Sequence, residues 1–235
     1  MNSVFDEKCI LSPSLISVCD LCNLESSVKA LERGGIRMLH VDILDGHFSP
    51  SMPLGLDTVK ALRKKTEIPF DCHVMASSND FFVGELVDLG AEQILFHLEP
   101  EPHVDRMINY LHEHNVRAGV ALKPGTDLST LNYVLDKCDA ILLMMINPGF
   151  AQCKNEGQAS YMDRKVRELH EMIERRGLPT KVVLDGRISK KNMEDYGPQG
   201  IADIFVAGST CIDKKDLENS AADLVQWREE LLKNS

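Results

Sequence analysis

The chain is short of positive charge. Against 36 Asp and Glu it carries 26 Lys and Arg, a formal net charge of −10. A nucleic-acid surface is built on a basic stripe, which this balance does not supply, so no nucleic-acid partner is expected. An anionic small molecule stays open, because backbone N–H groups can hold phosphate without altering net charge. Long apolar runs are also missing. The longest, Ala140 to Ile146, falls well short of the ~20 residues that span a bilayer, and no membrane partner is expected. The first residues place Asp6 and Glu7 ahead of a short apolar run, without the basic start and long apolar core of a secretory signal. No glycine-rich dinucleotide loop follows the first apolar run, where Ser17-Val18-Cys19-Asp20 stands, and no phosphate loop of the form G-x-x-x-x-G-K-S/T occurs. Seven scattered cysteines, an odd number, read as reduced thiols in a cytoplasmic setting. Cys19 and Cys22 form a lone C-x-x-C. No second pair follows at zinc spacing, so they read as a coincidence at a strand-to-helix junction.

What the chain does have is a hydrophobic fraction of 43%, enough for a folded core, and a recurring pattern. A short apolar run is followed by turn residues and then by a longer mixed segment. The apolar runs are Ile10–Ile16, Met38–Leu44, Phe70–Met75, Gln93–Leu98, Arg117–Leu122, Ala140–Ile146, Lys181–Leu184 and Ile204–Ala207. Helical spacing follows over Asn23–Arg33, Gly55–Lys65, Asp80–Leu89, His103–His114, Leu128–Leu135, Ser160–Arg176, Lys190–Tyr196 and Leu217–Leu232. Eight strand-plus-helix units predict parallel strands with crossover helices, closed into a (β/α)8 TIM barrel. The alternative is an open doubly wound sheet, which usually has fewer units. No linker or compositional break divides residues 1–235, so one α/β domain is expected, with 1–9 as a short N-terminal extension.

In such a barrel the chemistry sits at the C-terminal mouth. Strand two ends His40-Val41-Asp42, and residues i and i+2 share a face. If Val41 faces the outer helices, His40 and Asp42 face the interior. His73 lies on strand three and Asp185 ends strand seven. Burying carboxylates without partners costs several kcal/mol, and a divalent cation removes that cost. Two N and two O ligands suit Zn, Mn, Fe or Co better than Mg. The other reading is an internal hydrogen-bond network without an ion. His97, ending strand four, is open as a further ligand but reads rather as a ligand's partner or a plain hydrogen bond. His47 helps to shape the mouth, and Asp45 and Asp71 anchor turns or backbone groups. Asn147-Pro148-Gly149-Phe150, Asp185-Gly186 and Gly208-Ser209 offer backbone N–H groups to an anion. Met75, Met144 and Met145 are apolar residues near the mouth. Metal, paired acids and a phosphate grip fit proton abstraction beside a carbonyl, with Asp42 and Asp185 on two faces of the substrate. Lys123, after strand five, opens a rival reading as a Schiff-base aldolase or lyase, and a non-catalytic binding paralogue is a third.

Pro13-Ser14-Leu15, the run His40-Val41-Asp42-Ile43-Leu44-Asp45-Gly46-His47-Phe48, Asp71-Cys72-His73-Val74-Met75, Asn147-Pro148-Gly149-Phe150, Asp185-Gly186 and Val206-Ala207-Gly208-Ser209 together resemble the ribulose-phosphate 3-epimerase family over residues 10–212. The resemblance implies a (β/α)8 barrel of the pentose phosphate pathway. It would interconvert D-ribulose 5-phosphate and D-xylulose 5-phosphate through a metal-stabilised cis-enediolate. It implies one divalent ion per subunit on His40, Asp42, His73 and Asp185, with Asp42 and Asp185 as the acid/base pair. It further implies substrate contacts at Ser14, Met75, Met144, Gly149, Gly186, Gly208 and Ser209, and a homo-oligomer; their neighbours at the mouth, His73, Phe150, Ala151, Gln152, Asp185 and Arg187, are also expected to contact the substrate. Three departures stand out. Ala151-Gln152-Cys153 replaces the usual Gly-Gly-Gln, Arg187 replaces a second glycine, and Leu44 stands where a third methionine is common. The related D-allulose-6-phosphate 3-epimerases tolerate a non-glycine residue near position 187, which keeps a six-carbon substrate open.

Overall fold

Strands buried on both faces read as unbroken apolar runs, because helices cover one side and barrel packing the other. The computed structural model, which describes residues 3–234, shows this arrangement. Its strands are β1 (Ile10–Pro13), β2 (Leu39–Leu44), β3 (Phe70–Met75), β4 (Gln93–His97), β5 (Arg117–Leu122), β6 (Ala140–Met144), β7 (Lys181–Asp185) and β8 (Ile204–Ala207). All pairings are parallel. Successive strands are neighbours from β2 to β8, β8 pairs with β1, and a bridge from Ser14 to His40 brings β1 against β2. The sheet is therefore a nearly closed single-domain barrel.

Around it lie α1 (Leu15–Val18), α2 (Leu24–Arg33), α3 (Leu56–Arg63), α4 (Asn79–Asp88), α5 (Val104–Glu113), α6 (Met162–Arg176), α7 (Lys190–Tyr196) and α8 (Leu217–Lys233). The long α6 shows why these segments are helical. Its buried Met162, Val166, Leu169 and Ile173 recur every three or four residues, making one apolar stripe against the strands. Gly177 ends it in the left-handed conformation, φ +63°, which costs glycine nothing.

Two expected elements differ. The first apolar run is not a strand to Ile16: β1 stops at Pro13 and α1 starts at Leu15, where the Ser14 carbonyl turns to accept from the N–H groups of Ser17 and Val18. The segment Leu128–Leu135 is not an α-helix. It forms 3-10 turns at Leu128–Leu131 and Leu135–Lys137. Asp127 caps the first through Ser129 N–H, and the Thr130 hydroxyl donates back to the Asp127 carbonyl. Side chains of this kind compete with the helical ladder for backbone groups.

The N-terminal segment is more than an extension. Val4 and Phe5 are buried and join the barrel's interior cluster with Leu95, Leu142, Val183 and Ile204. The Arg117 guanidinium lies 4.6 Å from the centre of the Phe5 ring, a cation–π contact that seats this plug. Beside this apolar cluster, the starts of β2 to β5 carry a polar network. The register sets His40 beside Asp71, Asp71 beside Gln93, and Gln93 beside Arg117. Hydrogen bonds follow that register: His40 Nδ1 lies 2.8 Å from Asp71 Oδ2, Gln93 Nε2 donates to Asp71 Oδ1 at 2.8 Å, and Arg117 Nε donates to Gln93 Oε1 at 3.2 Å. Asp71 is thus no turn anchor. It is fully buried and holds a mouth histidine in place.

Candidate active site

Period-two geometry brings His40 and Asp42 to one face of β2, and the register sets Asp42 beside His73 on β3. Asp185 arrives from the end of β7, on the far side of β1 and β8. One ligand atom from each of His40, Asp42, His73 and Asp185 lies within 4.8 Å of the others. His40 Nε2 is 3.3 Å from Asp42 Oδ1 and 3.9 Å from Asp185 Oδ2, while His73 Nδ1 is 3.5 and 3.4 Å from the same two oxygens. Ligands about 2.1 Å from a shared cation stand roughly 3–4 Å apart, so these separations suit one ion. Both histidines are fully buried. Their Nε2 and Nδ1 atoms have no hydrogen-bond partner, an expensive condition for buried polar atoms unless a ligand satisfies them. The donor set therefore fits a divalent cation, with two imidazole nitrogens and two carboxylates as for Zn, Mn, Fe or Co.

Electrostatics agree with the geometry. Burial works to lower the His40 pKa, but Asp42 and Asp71 outweigh it and hold it well above its ordinary 6.5. Burial opposes the proton on His73 too, and Asp185 and Asp42 raise its pKa nonetheless. Burial alone would raise the Asp42 pKa, yet His40 and His73 keep it well below the usual carboxylate range. In the ion-free protein both imidazoles thus retain protons above the ordinary histidine range, and a cation must expel them. Titrating zinc into weakly buffered protein at neutral pH is expected to acidify the solution. The apparent affinity is expected to climb with pH through the ordinary histidine range and beyond it, and to level off once both imidazoles are neutral. An affinity independent of pH across that window contradicts this ligand set.

Asp42 is held on its other oxygen as well: the Ser14 hydroxyl donates to Oδ2 at 2.7 Å. Beside these acids opens a cavity of about 170 Å³. Its wall contains Ser14, Asp42, Met75, Met144, Gly149, Ala151, Gln152, Asp185, Gly186, Arg187 and Gly208, together with Leu44. His40 and His73 sit buried beside Asp42, off that wall. Two expected contacts face elsewhere. Phe150 lines a neighbouring hollow with Phe48, Lys123, Asn147, Pro148 and Glu156, and Ser209 lines a surface hollow with Thr210–Lys215. Lys123 belongs to that first hollow, with its ammonium 3.9 Å over the Phe48 ring, so it is not aimed at the acids as a Schiff-base lysine would be. Ser17 on α1, and Ser51 and Pro53 in the loop after β2, also line the cavity and were not legible, since they carry no chemical signature.

Gly149 and Gly186 matter because neither position leaves room for a side chain. Gly186 has φ +108°, and a Cβ there would lie 2.8 Å from Ile146 Cγ1 and 3.0 Å from its nitrogen. Gly149, at φ +82°, would place a Cβ 2.5 Å from that of Ser49. Arg187 is the exception. It adopts φ +53° without being glycine, at a cost of ~1–2 kcal/mol. Its guanidinium donates to the carbonyls of Ala151 and Cys153 at 3.1 and 2.8 Å, binding the loop after β6 to the loop after β7. Asp45 does anchor a turn, accepting from the backbone of His47 and Phe48 at 2.8 Å and of Ser77 at 2.7 Å. His47 is exposed and stands off the cavity wall. Cys19 is buried and Cys22 exposed, both as free thiols.

A nearly closed parallel barrel with acids and imidazoles converging at its C-terminal mouth belongs to the TIM-barrel enzymes, and this one carries a candidate divalent-metal site. The "Ribulose-phosphate 3 epimerase family" matches residues 10–212. The chain is 35% identical over 231 residues to the ribulose-phosphate 3-epimerase of Escherichia coli strain K12, covering 96% of this chain and 97% of that one. It is 33% identical over 212 residues to the enzyme of that name from Aquifex aeolicus, covering 89% and 92%. Among solved structures, KGPDC from Streptococcus mutans overlays with a TM-score of 0.65 at 15% identity, covering 97% of this chain and 99% of that chain, a likeness of fold alone. The chain belongs to the ribulose-phosphate 3-epimerase family and is an epimerase, an isomerase acting on carbohydrates. No helix among the described residues is long and apolar enough to cross a membrane.

Proposed function

We propose that the protein inverts C3 of a ketose phosphate, interconverting D-ribulose 5-phosphate and D-xylulose 5-phosphate. The observation that carries this reading is the pair Asp42 and Asp185, brought from strands β2 and β7 to within reach of one set of imidazoles beside a cavity. A proton beside a carbonyl is removed by a base on one face, and inversion requires an acid on the other. In this reading one carboxylate takes the C3 proton, and the other returns a proton to the opposite face of the flat enediolate. His40, Asp42, His73 and Asp185 would hold the divalent ion, which when bound supplies Lewis-acid stabilisation of the substrate oxygen as charge develops. Ser14 orients Asp42 through its hydroxyl. Met75, Met144 and Leu44 give the cavity an apolar wall that keeps water from the reacting carbon.

The phosphate would lie toward Gly149, Gly186 and Gly208, where close backbone leaves room for an anion. Ala151, Gln152 and Arg187 belong to the same wall. Among the described residues Arg187 is the only Lys or Arg on that wall, so the substrate's dianion meets its one formal positive charge there. Phe150 and Ser209, at the outer ends of these loops, are proposed to come into contact only as the loops adjust around the phosphate. A homo-oligomer and a cytoplasmic setting complete the proposal.

The test is turnover of D-ribulose 5-phosphate beside D-allulose 6-phosphate, with Zn, Mn, Fe and Co supplied in turn. Faster turnover of the pentulose phosphate is expected. Faster turnover of the hexulose phosphate moves the assignment to the six-carbon substrate, and no turnover of either with any ion defeats the epimerase reading. Arg187→Gly is expected to raise KM by about tenfold, the loss of one charge-assisted contact to phosphate, with a smaller effect on kcat.

A further inference from the structure

His97 is as buried as the candidate ligands, yet it stands outside the cluster of four and off the cavity wall. A buried imidazole needs partners for both nitrogens. Its Nδ1 lies 2.8 Å from Glu99 Oε2, and its Nε2 lies 3.1 Å from His73 Nε2. An ionised carboxylate only accepts hydrogen bonds, so the proton between them sits on His97 Nδ1. In the neutral ring that leaves His97 Nε2 as an acceptor, and His73 Nε2 must be the donor. When His73 is itself neutral, as a metal ligand must be, its Nδ1 is left with a bare lone pair. This is the atom that faces Asp42 and Asp185 and has no hydrogen-bond partner.

The far end of this chain is fixed. Glu99 Oε1 accepts from the backbone N–H of Lys123 at 2.7 Å and from the Thr126 hydroxyl at 2.5 Å. The Lys165 ammonium donates to the carbonyls of Lys123, Pro124 and Thr126 at 2.8, 2.9 and 2.6 Å. The segment leaving β5 is thereby pinned from both sides. Phe48 packs on the His97 ring with centroids 4.6 Å apart, which limits rotation of the imidazole. His40 reaches the complementary state by a shorter route: its Nδ1 lies 2.8 Å from Asp71 Oδ2, leaving Nε2 free. The two candidate ligands thus offer opposite ring nitrogens, one set directly by a carboxylate and the other through an intervening imidazole.

We infer that His97 and Glu99 are positioning residues, which hold His73 in the tautomer able to ligate a cation through Nδ1 and tie that ring to the pinned segment after β5. The inference deepens the metal-site reading above. A partner to a ligating histidine commonly changes metal affinity 10–100-fold, and the effect here reaches His73 by a bond that can be removed without touching a ligand.

Three proteins decide the matter: wild type, His97→Leu, which keeps bulk and removes the acceptor, and Glu99→Gln, which keeps the shape and removes the charge. Zinc affinity is measured by competition with a chromophoric chelator, and the His73 tautomer is read in ion-free protein at alkaline pH from 15N imidazole signals. Expected are an Nε2–H tautomer for His73 in wild type, a mixture in His97→Leu, and a 10–100-fold loss of zinc affinity. Glu99→Gln is expected to move both readouts in the same direction by less. Wild type with the His73 proton on Nδ1 overturns the inference, as does His97→Leu with an unaltered tautomer and zinc affinity within about twofold of wild type. Should His97→Leu fail to fold, an unaltered Glu99→Gln overturns it equally. Neither the tautomer nor the zinc affinity is read with substrate present. An absence of epimerisation in metal-loaded wild type would sink the functional reading and leave the tautomer result to stand or fall separately.

Discussion

Asp185→Asn is expected to lower turnover of D-ribulose 5-phosphate by ~10³-fold or more, and Asp42→Asn by a similar factor. General acid–base catalysis by one positioned group accounts for ~10²–10⁴-fold, and inversion needs both groups in every cycle. Asparagine keeps the size and an oxygen that can still face a cation, but it cannot take or deliver the proton. Measuring metal content beside kcat separates the two consequences. The account expects activity to collapse even in preparations that retain the ion. Asp42 carries a second burden, since its Oδ2 accepts the Ser14 hydroxyl at 2.7 Å. Asparagine has one oxygen, so Asp42→Asn keeps either the cation-facing oxygen or the Ser14 bond, whereas Ser14→Ala removes that bond alone and is expected to cost much less. Either asparagine variant running at more than about a tenth of the wild-type rate defeats a two-carboxylate mechanism.

Chelation is expected to be nearly as severe and also reversible. Dialysis against a strong chelator should remove most activity, and one equivalent of a suitable divalent ion per chain should restore it. The same step should change stability. Without the ion the cluster holds two carboxylates and two imidazoles, three of the four residues buried and Asp185 partly so. A ligand that binds only the folded state adds ~4 kcal/mol at a thousand times its dissociation constant. For a chain of this size that corresponds to a rise in melting temperature of roughly 8–16 °C, read by calorimetry of the same protein with and without zinc. Unchanged melting and full activity in verified ion-free protein contradict the account.

The strand-end residues were legible because alternation along a strand is strict. His40 and Asp42 had to share a face, and eight repeats placed β2, β3 and β7 around one mouth. Gly149 and Gly186 reach the cavity wall at points where a side chain would not fit, a role that glycine marks in the sequence. What the sequence hid were partners chosen by register. Asp71 looks like a turn anchor until β2 and β3 are aligned and it falls beside His40. Gln93 and Arg117 carry no chemical signature, yet the same register makes them a polar layer beneath the site. Val4 and Phe5 read as an extension, because nothing local reveals that a barrel floor needs filling. The helix expected over Leu128–Leu135 is lost for a local cause, since the side chains of Asp127 and Thr130 satisfy backbone groups in 3-10 turns. Arg187 stood out as a departure, but only the structure shows its guanidinium engaged by the carbonyls of Ala151 and Cys153.

The most direct test of the central claim is the fate of the C3 hydrogen when the metal-loaded protein turns over D-ribulose 5-phosphate in deuterium oxide, followed by NMR. Two carboxylates exchanging protons with solvent predict product carrying solvent deuterium at C3, with this labelled inversion lost in both Asp42→Asn and Asp185→Asn. Inverted product that retains its original hydrogen at C3 contradicts the account, because no proton would then have left on one face and arrived from the other.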